Sequence, residues 1–142
     1  MICVRIFHRK RQLKVLPSHS WWLANRMGAD SRFDMTDKRI VLTTAASEEE
    51  AGKIAHHLVE LRLAACVNIV PQITSIYRWQ EKVEEVLEWL LVVKTTAAAF
   101  GLVRHAIAEL HSYDLPECIC LAIEDGSPTY LEWLAESVST GE

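Results

Sequence analysis

Residues 65–95 read ACVNIVPQITSIYRWQEKVEEVLEWLLVVKT, and the division of this stretch decides the fold. Ala65 to Val70 is short and apolar, as a buried strand is, and Pro71 stops it. Ile73 to Trp79 is a second extended piece, with Ile73, Tyr77 and Trp79 on one side. The Pro71-Gln72 break predicts a bend or bulge within one long strand rather than two separate strands. Gln80 to Glu85 is polar and predicts the hairpin tip. Val86 to Thr95 returns, apolar and β-branched toward its end. A long β-hairpin therefore lies at the centre of the chain.

Working outward, Arg39 to Ala45 (RIVLTTA) predicts a strand. Ser47-Glu48-Glu49-Glu50 reads as a capping box, the Ser47 hydroxyl accepting from the Glu50 amide while Glu50 reaches back. Its three glutamates suit the positive end of a helix dipole. Ala51, Ile54, Ala55, Leu58 and Leu61 then recur at helical spacing, and this helix is expected to end near Arg62. Beyond the hairpin, Thr96 is a candidate cap for a second helix whose apolar side is Phe100, Val103, Ile107 and Leu110. Pro116 forces Leu115 out of helical geometry, so that helix cannot run through His111–Pro116. Glu117 to Glu124 predicts a fourth strand. Asp125-Gly126 turns, and Ser127-Pro128 is an N-cap followed by proline at the first helical position. Tyr130, Leu131, Leu134 and Val138 give the last helix its apolar side.

The order is β-α-β-β-α-β with a C-terminal helix, an α+β fold of the ferredoxin-like, split βαβ kind. Two helices cover one face of such a sheet and leave the other open. Ile73, Tyr77, Trp79 and Trp89 are a heavy apolar load for exposed strands, and uncovered apolar patches mark partners. Self-association is expected on this ground alone.

The chain has 142 residues, half of them hydrophobic and 24% charged, which fits one ordinary globular domain. Charge divides it near residue 35. Residues 1–34 carry seven Lys/Arg against two Asp, a net of +5, while residues 35–142 carry eight against seventeen Asp/Glu, a net of −9. Residues 1–35 are read as a basic N-terminal extension and residues 36–142 as the folded domain. The extension, with Arg9-Lys10-Arg11 and Trp21-Trp22, is open to several readings: a transit-like leader, a basic arm for an anionic partner, a disordered tail, or upstream sequence before a start at Met35 or Met27. No uninterrupted apolar run follows the basic residues, so a secretory signal is not expected. No apolar stretch is long enough to span a bilayer, and the acidic body is a poor match for nucleic acid. The four cysteines, Cys3, Cys66, Cys118 and Cys120, contain no C-x-x-C, so free thiols in a reducing compartment, the cytoplasm, are expected.

Several segments resemble one family. Leu63-Ala64-Ala65-Cys66-Val67-Asn68-Ile69, Thr74-Ser75-Ile76-Tyr77-Arg78-Trp79, Val93-Lys94-Thr95, Leu110-His111-Ser112-Tyr113-Asp114-Leu115-Pro116-Glu117 and Tyr130-Leu131-Glu132-Trp133-Leu134 are similar, in order and spacing, to the motifs of the CutA divalent-cation-tolerance family. Together they cover Lys38 to Val138. The resemblance implies a ferredoxin-like fold, a homotrimer with its sheets facing inward, a link to tolerance of copper and other divalent metals, and a likeness to PII signalling proteins. It implies no catalytic reaction. This chain departs from the family pattern at Ser112, where proline is usual after the histidine. It departs again at Leu110, where some members have a second histidine, and at Cys118 and Cys120, where the pattern is usually aliphatic.

The candidate chemistry centres on His111, Tyr113 and Glu117, because imidazole and carboxylate suit Cu(II) or zinc and one short turn carries all three. The plainer alternative is a helix-capping histidine and a glutamate bonded to backbone. Cys118 and Cys120 lie two apart on a strand and project to one face, where thiolates can hold Cu(I). Packing as small hydrophobes is the commoner fate of such residues. Cys66 is a further thiol candidate, but its apolar surroundings favour core packing. His56, His57 and His105 read as exposed. Lys94 is expected to pair with Glu117 or another carboxylate at a subunit boundary, or to draw an anion into a cleft; Tyr77, Trp79 and Tyr113 belong to the same interface or cleft. No Walker loop, G-x-G-x-x-G, H-E-x-x-H or G-x-S-x-G is present.

The expected function is therefore a trimeric metal-response protein, not an enzyme. Its partners would be itself and divalent ions such as Cu(II), with Cu(I) as a further possibility; no membrane or nucleic acid is expected, and no cofactor is needed for folding. The rivals are a PII-like trimer binding a small ligand and a scaffold trimer with no ligand.

Overall fold

The computed structural model describes residues 36–140. The seven elements are β1 (Lys38–Ala45), α1 (Glu48–Glu60), β2 (Cys66–Trp79), β3 (Lys82–Thr96), α2 (Phe100–Leu110), β4 (Ile119–Ala122) and α3 (Pro128–Ser137). The strands form one antiparallel sheet in the order β2-β3-β1-β4. This is the ferredoxin-like arrangement that the sequence predicts. The basic extension, with Cys3 and the Trp21-Trp22 pair, lies outside the described residues.

The two faces of the sheet follow from strict alternation. Val41, Ala45, Leu91 and Val93 point to the helix side and are fully buried with Ala51, Ile54 and Leu58 of α1 and Val103 and Ile107 of α2. The opposite face begins under α3, whose Leu134 is fully buried outside that first cluster. α3 reaches both central strands, β1 and β3. The C-terminal helix thus closes one end of the face that the two crossover helices leave open.

Arg62 holds α3 in place. α1 ends in a Schellman motif, with Arg62 N–H donating to the Val59 carbonyl (3.0 Å) and Leu63 N–H to the Leu58 carbonyl (2.9 Å). Arg62 occupies the left-handed position (φ 56°), where glycine is usual and any other residue is strained by about 1–2 kcal/mol. From there its guanidinium donates to the carbonyls of Glu136 (2.5 Å) and Ser137 (3.3 Å), at the negative end of α3, while its own carbonyl accepts from Ser139 N–H (2.9 Å).

The bulge expected at Pro71–Gln72 is present. Val70 pairs with Leu90 and Ile73 with Glu88, so two residues of β2 oppose Trp89 alone. Gln72 takes the left-handed conformation (φ 55°). Proline is tolerated because β2 is an edge strand.

Four boundaries differ from the sequence reading. The hairpin tip is two residues, Gln80 and Glu81, both left-handed (φ 46° and 67°), and Trp79 pairs directly with Lys82. Lys82 to Glu85 looked like loop because three of its four residues are charged, as suits a strand exposed on both faces. β4 is four residues rather than eight, since the Thr44 carbonyl that would extend its ladder with β1 is taken by the His111 ring. Thr96 does not cap α2; its hydroxyl accepts from Ala99 N–H (3.3 Å) in the turn before the helix, and Ala99 is the N-cap. Ser127 is the N-cap of α3, but its hydroxyl meets Thr129 Oγ1 (3.2 Å) instead of a backbone amide.

Truncating Leu134 to alanine should cost roughly 2–5 kcal/mol in urea-induced unfolding, because the cavity would open between α3 and a rigid sheet. A loss under about 1 kcal/mol would mean that α3 is not anchored by this side chain.

Candidate functional site

Past α3, the open face of the sheet carries a cleft of about 690 Å³. Thr44 of β1, Ser75 and Tyr77 of β2 and Glu88 of β3 form its floor, and the α2–β4 loop, residues 111–118, forms its wall. Ser112, Tyr113, Asp114 and Glu117 of that loop face the cavity. Its lining holds three carboxylates, Glu88, Asp114 and Glu117, and no lysine or arginine.

The loop is fixed from below by Glu50 and His111. The expected capping box forms, Glu50 N–H donating to Ser47 Oγ (3.1 Å), but the Glu50 carboxylate does more than reach back. Its Oε2 accepts from Ala46 N–H (2.8 Å) and its Oε1 from Ser112 N–H (2.6 Å), joining the start of α1 to the far side of α2. Burial works to raise the Glu50 carboxyl. The Ala46 amide, the amide and hydroxyl of Ser112 and the nearby His111 ring outweigh it, so the net shift is downward.

The His111 side chain is completely enclosed. Nε2 sits 2.6 Å from the Thr44 carbonyl and Nδ1 accepts from Tyr113 N–H at 3.0 Å. These contacts assign the neutral tautomer with its proton on Nε2. The Tyr113 ring lies against it, centroids 4.9 Å apart. Tyr113 is hydrogen-bonded in turn to Glu88, a carboxylate only 4% exposed in the floor. Burial first, then that bond and the charges of Glu88, Tyr77 and Glu50, push the phenol up to about 12. Tyr113 therefore remains a proton donor at any physiological pH.

The sequence candidates fall into two groups. Glu117, Tyr113, Tyr77 and Trp79 all line the cleft. His111 lies beneath it with its ring nitrogens bonded to the backbone of β1 and of the loop, not to the end of α2. Lys94 is absent from the lining; its ammonium bonds Asn68 Oδ1 across β2 and β3, so the expected pairing with Glu117 does not form. Cys66 is near α3, its Sγ 3.7 Å from Tyr130 Oη. Cys118 and Cys120 face the helices and pack against the core. Burial leads in raising the Cys118 thiol, Cys120 and Glu117 add to it, and Arg104 opposes. Among the described residues no three His, Cys, Asp or Glu side chains converge as a metal set. His56 and His105 are exposed beside Glu60 and Glu109, as expected of surface residues.

Glu88 and Thr44 were not singled out from the sequence, and Glu50 only as part of a helix cap. Glu88 left a signal, a charge between Leu87 and Trp89 at the start of the apolar part of its strand. Thr44 left none, because it acts through its carbonyl.

Comparison with known proteins agrees with this architecture. A family model described as the CutA1 divalent ion tolerance protein matches residues 39–137. The divalent-cation tolerance protein CutA of Thermus thermophilus is 53% identical over 100 residues, 70% of this chain and 97% of that protein. The protein CutA of Mus musculus is 44% identical over 99 residues, and the chain spans only 56% of its length. Among solved structures, a divalent cation tolerance protein from Thermus thermophilus superposes with a TM-score of 0.71 at 52% identity, covering 72% of this chain and 99% of that one. A protein described as the periplasmic divalent cation tolerance protein CutA from Archaeoglobus fulgidus gives a TM-score of 0.70 at 40% identity over 72% and 99%. No helix of the described residues is long and apolar enough to cross a membrane.

Replacing Glu50 by glutamine should destabilise the fold by about 1–2 kcal/mol at neutral pH, since a charged acceptor of two amides is lost. The folded-state carboxyl is held below its ordinary value of 4.5, so its contribution is full above that value and is lost as pH falls through the lower folded-state value. Urea melts of both proteins at neutral and acid pH check this. A stability gap that does not narrow in acid would show that the charge is not what matters.

Proposed function

The chain belongs to the CutA1 divalent ion tolerance protein family, and from that premise we propose that it is a homotrimer that takes up divalent cations at the carboxylate-lined cleft, between subunits. The cleft lining carries this reading: Glu117 and Asp114 stand on a fixed loop above Glu88, with no basic residue to compete. Oxygen donors of this kind accept many divalent ions, and Cu(II) leads the order of affinity within the divalent series. One protomer offers no complete ligand set, so the remaining donors must come from a second subunit.

Assembly has its own support. Ile76, Val83 and Leu87 of the outer hairpin are 66%, 64% and 59% exposed, and Tyr77 and Trp79 are open beside them. Apolar groups at that density on a protruding hairpin call for a covering surface. With Gln80-Glu81 as a tight tip, the hairpin is stiff enough to reach a neighbour.

Binding rather than catalysis is the reading we give the cleft, on the acidic character of its lining. The PII-like reading leaned on Lys94, which stands off the cleft and is bonded to Asn68. A cytoplasmic setting is supported by the free thiols of Cys66, Cys118 and Cys120.

Calorimetric titration with Cu(II) and Zn(II) should show binding that Glu117→Gln weakens by about tenfold or more. Sedimentation should give a trimer for both proteins. Affinity indifferent to Glu117 would leave the scaffold trimer in its place, and a monomer at micromolar concentration would overturn both readings.

A further inference from the structure

The cleft is larger and more apolar than a metal ion needs. At about 690 Å³ it has the size of a small-molecule site. Besides its carboxylates it is lined by three aromatic residues, Tyr77, Trp79 and Tyr113, all partly open to solvent. Leu115 lines it too, and at 75% exposure it is the most open large apolar side chain among the described residues. Oxygen donors can hold a metal ion, but aromatic faces and a leucine add nothing to its coordination. The carboxylates are also unequal. Glu88 is 4% exposed and accepts the hydrogen bond of Tyr113. Asp114 and Glu117 form no ion pair among the described residues, and no lysine or arginine lines the cleft to neutralise them.

We propose that the cleft also binds an aliphatic diammonium ion, its two charges answered by Asp114 and Glu117 and its methylene stem lying against Tyr77, Trp79 and Leu115. Such an ion carries the charge of a divalent metal but spreads it along an apolar body. It meets both halves of the lining together. Ammonium groups donate to carboxylates, and they are attracted to the faces of tryptophan and tyrosine by the ring quadrupole. The stem removes water from the rings and from Leu115. Other ligand classes satisfy only one half. A neutral apolar molecule would desolvate Asp114 and Glu117 without a partner, and an anion would be repelled by them. A metal ion would leave the aromatic wall wet. The inference takes the same cleft as the metal reading but does not rest on metal binding there.

The test is calorimetric titration of the full chain, freed of metal by a chelator, with 1,5-diaminopentane. The uncharged 1,5-pentanediol and the ammonium ion are the references for stem alone and charge alone. The diamine should bind more than about tenfold tighter than either. Glu117→Gln and Trp79→Leu should each weaken it by about tenfold, and Trp79→Phe by much less. Glu60→Gln, at an exposed carboxylate of α1, should change nothing, which separates the cleft from general attraction to an acidic surface. If Trp79→Leu alters the assembly in sedimentation, the wild-type chain decides: the amide resonances of residues 113–117 should shift with the diamine and stay in place with the diol. Because the protein is metal-free, a null titration with Zn(II) leaves this inference standing, and a null titration with the diamine leaves the metal reading standing. Equal affinity for the diol, equal affinity for ammonium, indifference to Glu117, or equal sensitivity to Glu60 would each overturn the proposal.

Discussion

The Glu50 carboxylate binds together three parts of the molecule that are distant in sequence. Its two oxygens take the amides of Ala46 and Ser112, so the end of β1, the start of α1 and the exit of α2 meet at one anion. His111 completes the junction by bridging the Thr44 carbonyl to the Tyr113 amide. A partly buried anion is stabilised when its lone pairs are filled, and here two of the partners are backbone amides held by the fold. The loop that walls the cleft is therefore tied to the sheet and to α1 at its start, although it has no regular secondary structure.

That anchoring explains how a short loop can hold charge at the cleft. Tyr113 lies on the enclosed imidazole and donates a hydrogen bond to the buried Glu88. Glu88 would otherwise be an uncompensated charge in a sheet floor. Asp114 and Glu117 then project from this same loop into the cleft. The chain of contacts runs from a helix cap to the cleft through four side chains.

Much of the fold was legible in the sequence, because alternation, helical spacing and caps are local properties. Pro71-Gln72 announced the bulge, and Ser47 to Glu50 announced the first helix. The strand ends were harder to read. Lys82 to Glu85 is polar because water lies on both sides, and nothing local separates such a strand from a loop. The site was half legible. Tyr77, Trp79, Tyr113 and Glu117 were found through their types and their place in motifs. His111 was recognised as special, yet its burial between two backbone groups depends on β1, more than sixty residues away. The bond from Lys94 to Asn68 was hidden for the same reason, since the two are neighbours only across the ladder.

The bulge at Pro71–Gln72 also governs how such a chain can vary. By opposing two residues to one, it swaps the odd and even positions of β2, so that Ile73, Ser75, Tyr77 and Trp79 continue the face begun by Cys66 and Asn68. Losing one residue there would turn the whole outer arm upside down and send its aromatic rings to the wrong side. Lengthening beyond it is harmless if both strands grow by equal steps. The reach of the arm can thus drift over generations while the crevice at its root keeps its shape.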